Sequence, residues 1–144
     1  MGADVAQRKI RVLLAVSGHE GQDRVAKTLA LALRDAGMEV IFAGLHRMAK
    51  QVAAVALQED VDVVALCVPP AGRLSLPRKL LEALAALGIR DDVKVAVTGA
   101  VASRDVSRLR AMGVDGIFPA GTAPGEIAAW LRGKANNGDE RGTA

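Results

Sequence analysis

Val61-Asp-Val-Val-Ala-Leu-Cys-Val-Pro-Pro-Ala-Gly-Arg-Leu-Ser-Leu-Pro-Arg-Lys-Leu-Leu-Glu-Ala-Leu-Ala-Ala-Leu-Gly88 holds in one stretch an apolar β-branched run, a turn marked by proline and glycine, and a helix-like segment that closes on glycine. Val61 to Leu66, bounded by Asp60 and the Pro69-Pro70 pair, predicts a strand buried on both faces. Pro77 near the opening and Gly88 after Leu87 mark the start and stop of a helix. A buried strand leading into a helix is half of a crossover unit, which points to a parallel sheet.

The same alternation runs outward in both directions. Ile10 to Val16 predicts a first strand, and Asp23 to Ala36 a helix with Val25, Leu29, Ala32 and Ala36 on one face before Gly37 ends it. Glu39 to Ala43 predicts a second strand. Met48 to Glu59 predicts a helix turning Val52, Ala53, Ala56 and Leu57 inward. Beyond Gly88, Val93 to Val97 predicts a fourth strand, and Ser103 a cap for a helix that runs to Met112 and stops at Gly113. Val114 to Phe118 predicts a fifth strand and Ala123 to Leu131 a last helix, with Trp130 as core. Strands at intervals of about 25 residues, each followed by a helix, imply an α/β fold: a five-stranded parallel sheet with helices on both faces, flavodoxin-like or Rossmann-like. One domain over 9–132 is expected, with residues 1–8 and 133–144 disordered.

Composition narrows the function classes. One tryptophan, two phenylalanines and no tyrosine leave the core to Ala, Val, Leu and Ile. The single cysteine, Cys67, excludes an internal disulfide and suits a reducing compartment, so a cytoplasmic protein is expected. No stretch reaches the roughly 18 apolar residues of a membrane span. A formal charge of +3 with scattered basic residues argues against a nucleic-acid partner.

In such a sheet the loops at the carboxyl ends of the strands bind ligands. These are Ser17-Gly-His-Glu-Gly-Gln22, Cys67-Val-Pro-Pro-Ala-Gly-Arg73, Thr98-Gly-Ala-Val101 and Pro119-Ala-Gly-Thr122. His19, one of two histidines, is the leading candidate for chemistry, and Gly72, Gly99 and Gly121 leave room for a large ligand to approach backbone. The first loop is no dinucleotide-binding turn, for it lacks G-x-G-x-x-G, and the chain has no phosphate loop. A phosphoacceptor receiver needs an Asp where the third strand ends in Cys67 and acidic partners where the first ends in Ser17.

From about Lys9 to Leu131 the chain resembles the cobalamin-binding domain of the methylmalonyl-CoA mutase family. That family's Asp-x-His-x-x-Gly loop falls on Ser17, Gly18, His19, Glu20, Gly21 and Gln22. The resemblance makes His19 the lower axial ligand to cobalt. Ser17 stands where a carboxylate would hold the far imidazole nitrogen, and Gln22 replaces the last glycine; Glu20 is a second candidate partner for the imidazole. The family's Ser-x-Leu falls on Cys67-Val68-Pro69, so a thiol replaces a hydroxyl that bonds the buried nucleotide base. Its Ala-Gly pair falls on Ala71-Gly72, its Gly-Gly on Thr98-Gly99, and its Phe-Gly-Pro-Gly-Thr on Phe118-Pro-Ala-Gly-Thr122. His46, Arg47 and Arg73 fall at the rim, where the arginines are candidates for propionamide, phosphate or partner contacts.

The resemblance implies adenosylcobalamin as cofactor and a separate catalytic barrel subunit of an acyl-CoA mutase as partner, since the chain has no room for the barrel. The chain is then part of a carbon-skeleton isomerase and no complete enzyme. A second expectation of a different class stays open: a cofactor-free domain of the same fold, acting as a structural or interaction partner. His19 and the three glycines favour the first, whereas Ser17, Gln22 and Pro69 favour the second. A corrinoid carrier for methyl transfer would bring a helical cap before the sheet, and nine residues precede the first strand.

Overall fold

The structure, a computed structural model, describes residues 9–16, 20–44 and 49–136, apart from the side chains of 20–23, 44 and 134–136. Five parallel strands form one sheet: β1 (Arg11–Val16), β2 (Glu39–Gly44), β3 (Val63–Val68), β4 (Lys94–Gly99) and β5 (Gly116–Ile117), in the order β2-β1-β3-β4-β5. The helices are α1 (Glu20–Asp35), α2 (Ala49–Gln58), α3 (Ser75–Ala86), α4 (Val106–Met112) and α5 (Pro124–Asn136). The expected fold class is the one found.

Handedness assigns each helix to a face. Right-handed crossovers place a helix on opposite faces according to which way the chain steps across the sheet. From β1 the chain steps outward to β2 through α1, then moves the other way through β3, β4 and β5, so α2, α3 and α4 share the opposite face. One apolar cluster joins Leu13, Val64, Leu66 and Val97 to Val52, Leu80, Leu84 and Leu109. The other joins Val12, Leu14, Val63 and Ala96 to Leu29, Leu33, Ile127 and Leu131. Thus, among the described helices, α1 and α5 alone pack on the second face.

Local rules end the helices where glycines stand. After α1, α3 and α4, Gly37, Gly88 and Gly113 take positive φ, and the next residue donates back into the last turn: Met38 to Leu33, Ile89 to Leu84 and Val114 to Leu109. Asp60 does the same after α2 at φ 52°, with Val61 N–H donating to Ala56. Val61 therefore serves the helix cap, and the third strand starts two residues later than its apolar run.

Several expectations are corrected. The buried stripe of α1 is Ala26, Leu29, Ala30 and Leu33, and Val25 is 46% exposed. Two apolar stripes overlap at Leu29, and the alanine-rich one lets the helix sit close to the sheet. Leu57 of α2 is half exposed, beside the buried Val52, Ala53 and Ala56. Ser103 opens a short 3-10 turn, Ser103–Asp105, without a side-chain cap bond, and Asp105 instead accepts the Ala102 N–H at 3.0 Å. Trp130 is only part-buried and lies edge-on to Phe118, with ring centroids 5.5 Å apart. Helix α5 continues to Asn136, so Gly133 lies inside it and does not open a tail. Residues 1–8 and 137–144 lie outside the described residues. No described helix is long and apolar enough to cross a membrane.

The two edges of the sheet differ. At the amino edge Arg11 pairs with Glu39 and Glu59 at 3.1 and 3.2 Å, and Arg90 with Asp115 at 3.2 Å. The carboxyl edge holds the cleft.

Candidate functional site

The chain reverses its stepping direction between β1 and β3, so the connections leaving them diverge to opposite faces and open a crevice at the carboxyl edge. On the face with only two helices, a cleft of about 330 Å³ opens between them. Val25 and Leu29 of α1 form one wall, and Pro124 and Ile127 of α5 form another. Thr98, Gly99 and Ala100, at the end of β4, and Ala120, Gly121 and Thr122, before α5, complete it.

Backbone hydrogen bonds hold these loops in place. Ala100 N–H donates to Val68 at 2.9 Å, Ala120 N–H to Val101 at 3.0 Å, and Thr122 N–H to Pro119 at 3.1 Å. The Thr122 hydroxyl donates to the same Pro119 carbonyl at 2.7 Å, so its proton is spent inside its own loop. Gly121 has φ +94°, and a Cβ there would meet nothing within 4 Å, so it is the backbone conformation that calls for glycine while the space beside it is open. Apart from Thr98 and Thr122 the lining is apolar side chain and bare backbone, suited to a flat, mostly apolar body.

Four of the residues singled out from sequence, Thr98, Gly99, Gly121 and Thr122, meet in this cleft. Cys67 is fully buried at the end of β3, as a small core residue would be. Pro69 and Gly72 lie in the turn after β3 and do not line the cleft; Gly72 packs under Leu76, whose Cδ1 would lie 3.0 Å from an added Cβ. Ser17, Gly18 and His19 lie outside the described residues, as do His46 and Arg47. Glu20 and Gln22 stand in the first turn of α1, with side chains outside what is described.

Arg73 does not stand free at the rim. Its Nε donates to Asp105 at 2.9 Å and its Nη1 to the Pro70 carbonyl at 3.2 Å, tying the β3 turn to the turn after β4. The Ala102 N–H, and then Arg73, hold the Asp105 carboxyl below its ordinary value. Sequence reading missed Asp105, although an acidic residue just ahead of a helix is a capping signal. It also missed Val25, Leu29, Pro124 and Ile127 as lining residues, which only the docking of α1 beside α5 brings together. Among the described residues no group of three His, Cys, Asp or Glu could hold a metal ion.

A sequence model of the B12 binding domain matches residues 10–129, and the chain belongs to that family. Small subunits of CoA mutases are among its relatives. The chain is 39% identical over 126 residues to the 2-hydroxyisobutanoyl-CoA mutase small subunit of Aquincola tertiaricarbonis, covering 88% of this chain and 92% of that one. It is 40% identical over 120 residues to the pivalyl-CoA mutase small subunit of Xanthobacter autotrophicus, covering 83% and 80%. Against the methylmalonyl-CoA mutase large subunit of Streptomyces virginiae the identity is 38%, over 80% of this chain but 16% of that protein. By fold alone it is similar to a cobalamin-binding protein from Desulfitobacterium hafniense, with TM-score 0.72 at 21% identity over 87% of this chain and 59% of that one. The chemotaxis protein CheY4 of Vibrio cholerae shares the architecture at TM-score 0.65 and 16% identity, over 87% and 98% of the two chains.

Proposed function

We propose that this chain is the cobalamin-binding small subunit of an adenosylcobalamin-dependent acyl-CoA mutase, with its substrate site on a separate barrel subunit. The observation that carries the reading is the glycine-walled apolar cleft at the carboxyl edge, one wall of which is the helix that follows His19 in the chain. The cleft suits the planar base of the cofactor's nucleotide arm: apolar walls for the ring faces, and bare backbone at Gly99 and Gly121 for close approach. The similarity to two mutase small subunits, over most of their length, supports a partner that supplies the rest of the enzyme.

When bound, the cofactor supplies the radical chemistry of carbon-skeleton rearrangement through its cobalt–carbon bond. The residues of this chain bind and orient. Val25, Leu29, Pro124 and Ile127 exclude water from the base, and the hydrogen-bonded loops keep the cleft open before any ligand arrives. His19 would hold the cobalt through an imidazole nitrogen. Ser17 is the candidate acceptor for the other ring proton, and an uncharged acceptor there favours a more weakly held histidine than a carboxylate would.

The test is spectral. The purified chain is mixed with hydroxocobalamin or adenosylcobalamin, freed of excess, and examined for retained absorbance with histidine-on character. It is then passed over a size-exclusion column with the large subunit of a CoA mutase. Retention that reverts toward the free-cofactor spectrum in His19→Ala, with the fold intact, supports the reading. An unchanged spectrum in that variant removes His19 from the ligand role. Absence of any retained corrinoid, with the large subunit still bound, would establish the cofactor-free partner domain instead.

A further inference from the structure

We infer that the Thr98 hydroxyl is the specificity-determining hydrogen-bond donor of the cleft, reading a flat heterobicycle with one unsubstituted ring nitrogen. The inference rests on the reading above that the cleft receives the base of a corrinoid, and adds which residue recognises the base and what chemistry it selects.

Thr98 is 7% exposed and lines the cleft. Strand alternation turns its side chain to the α1/α5 face, because Ala96, two residues earlier, packs there with Ile127 and Leu131. Its hydroxyl makes no hydrogen bond to any described residue, yet no side-chain oxygen or nitrogen among them is sealed without a partner. The oxygen therefore opens on the cleft. Such a hydroxyl is left to water while the cleft is empty, and a ligand that covers it must supply an acceptor or leave it dehydrated.

The neighbouring polar groups cannot take the same role. The proton of Thr122 is committed to Pro119. Cys67, the register partner of Thr98 on β3, is at 0% exposure, so the thiol does not reach the cleft surface. A hydroxyl is thus presented from β4 where the adjacent strand offers sulfur, a poorer donor. One donor in apolar surroundings matches a ligand whose edge carries one acceptor. A benzimidazole joined to its ribose through one nitrogen has a single such nitrogen left, and the Thr98 O–H donates to it. A purine would bring several polar edge atoms and find one partner, leaving the rest dehydrated.

The experiment compares the full chain with Thr98→Val and Thr98→Ser. Dissociation constants are measured by absorbance for adenosylcobalamin, for its analogue with adenine as base, and for adenosylcobinamide, which has no base. Loss of one neutral hydrogen bond predicts about 3- to 10-fold weaker adenosylcobalamin binding by T98V. Cobinamide binding should stay unchanged, and T98S should hold the base-bearing form within about twofold of wild type. The adenine analogue should bind the wild type more weakly than adenosylcobalamin. The thermal midpoint of T98V should stay within about 2 °C of wild type, since the hydroxyl bonds no described residue; a threonine that only holds the fold would lower it. Thr98→Ala repeats the test if T98V does not fold.

Equal binding of adenosylcobalamin by T98V and wild type overturns the proposal, as does equal loss of both corrinoids. A wild type that binds adenosylcobalamin and cobinamide equally, or neither, overturns the parent reading and this one with it.

Discussion

Placing a methyl group on the edge strand at Gly116→Ala should unsettle the whole α1/α5 face. The added Cβ would lie 2.6, 2.8 and 2.9 Å from Cη2, Cζ3 and Cζ2 of Trp130. Carbon atoms rest at about 3.5–4.0 Å, so the indole must withdraw by about 1 Å. It has little freedom to do so, because it is edge-on to Phe118 at an interplanar angle of 78° and its helix is anchored by the buried Leu131 and Ile127. Overpacking of this kind costs about 1–3 kcal/mol, and disturbing the aromatic pair adds about 0.5–1.5. Removing a glycine from a strand returns about 0.4–1 kcal/mol through the unfolded chain. The net loss is about 0.5–4 kcal/mol, which for a domain of this size lowers the melting midpoint by roughly 2–16 °C. Circular dichroism gives the midpoint, and fluorescence reports the ring directly because Trp130 is the only tryptophan. Trp130→Leu should relieve the clash, so the double variant should cost about 1 kcal/mol less than the two single losses summed. Pro124 and Ile127 share the helix with Trp130, so G116A should also weaken corrinoid retention. A midpoint within about 1 °C of wild type, or simple additivity with Trp130→Leu, refutes the packing argument.

Acid should release the turn that Asp105 holds. Its folded-state value lies below 3.8, chiefly through the Ala102 N–H and then Arg73. Its stabilisation is therefore full above the unfolded value and disappears as pH falls through the folded one. Melting midpoints measured downward from about pH 5 should fall with a slope that Asp105→Asn makes shallower; identical slopes would refute this. At the end of α2, Asp60 holds φ 52°. Asp60→Gly removes the steric cost of that conformation and should raise stability by about 0.5 kcal/mol, read as a shift of about 1–3 °C. A fall in midpoint would count against it.

Much of the architecture was readable one residue at a time. Gly37, Gly88 and Gly113 end helices because their φ is positive, and that preference belongs to glycine itself. The third strand was readable as buried, though it runs from Val63 to Val68 and so lies two residues further along than the run from Val61 to Leu66 implied. That Thr98, Gly99, Gly121 and Thr122 would meet at one edge was legible because strand ends in a parallel sheet converge wherever the strands are placed. Leu57 and Val25 were misplaced because helix periodicity gives a stripe but not its rotation. Arg73 was read as a free rim charge because Asp105 stands 32 positions away.

The sequence by itself determined the alternation of strands and helices, hence a parallel sheet and the edge at which a ligand binds. These follow from burial pattern, turn chemistry and crossover handedness, all of which act over short stretches of chain. Only the tertiary structure decided that two helices share one face, that a cleft opens between them, and that Thr98 lines it without a hydrogen bond to any described residue while Cys67 is sealed. Those facts depend on how closely α1 and α5 approach although seven strands and helices separate them in the chain, a distance set by the summed packing of the whole face.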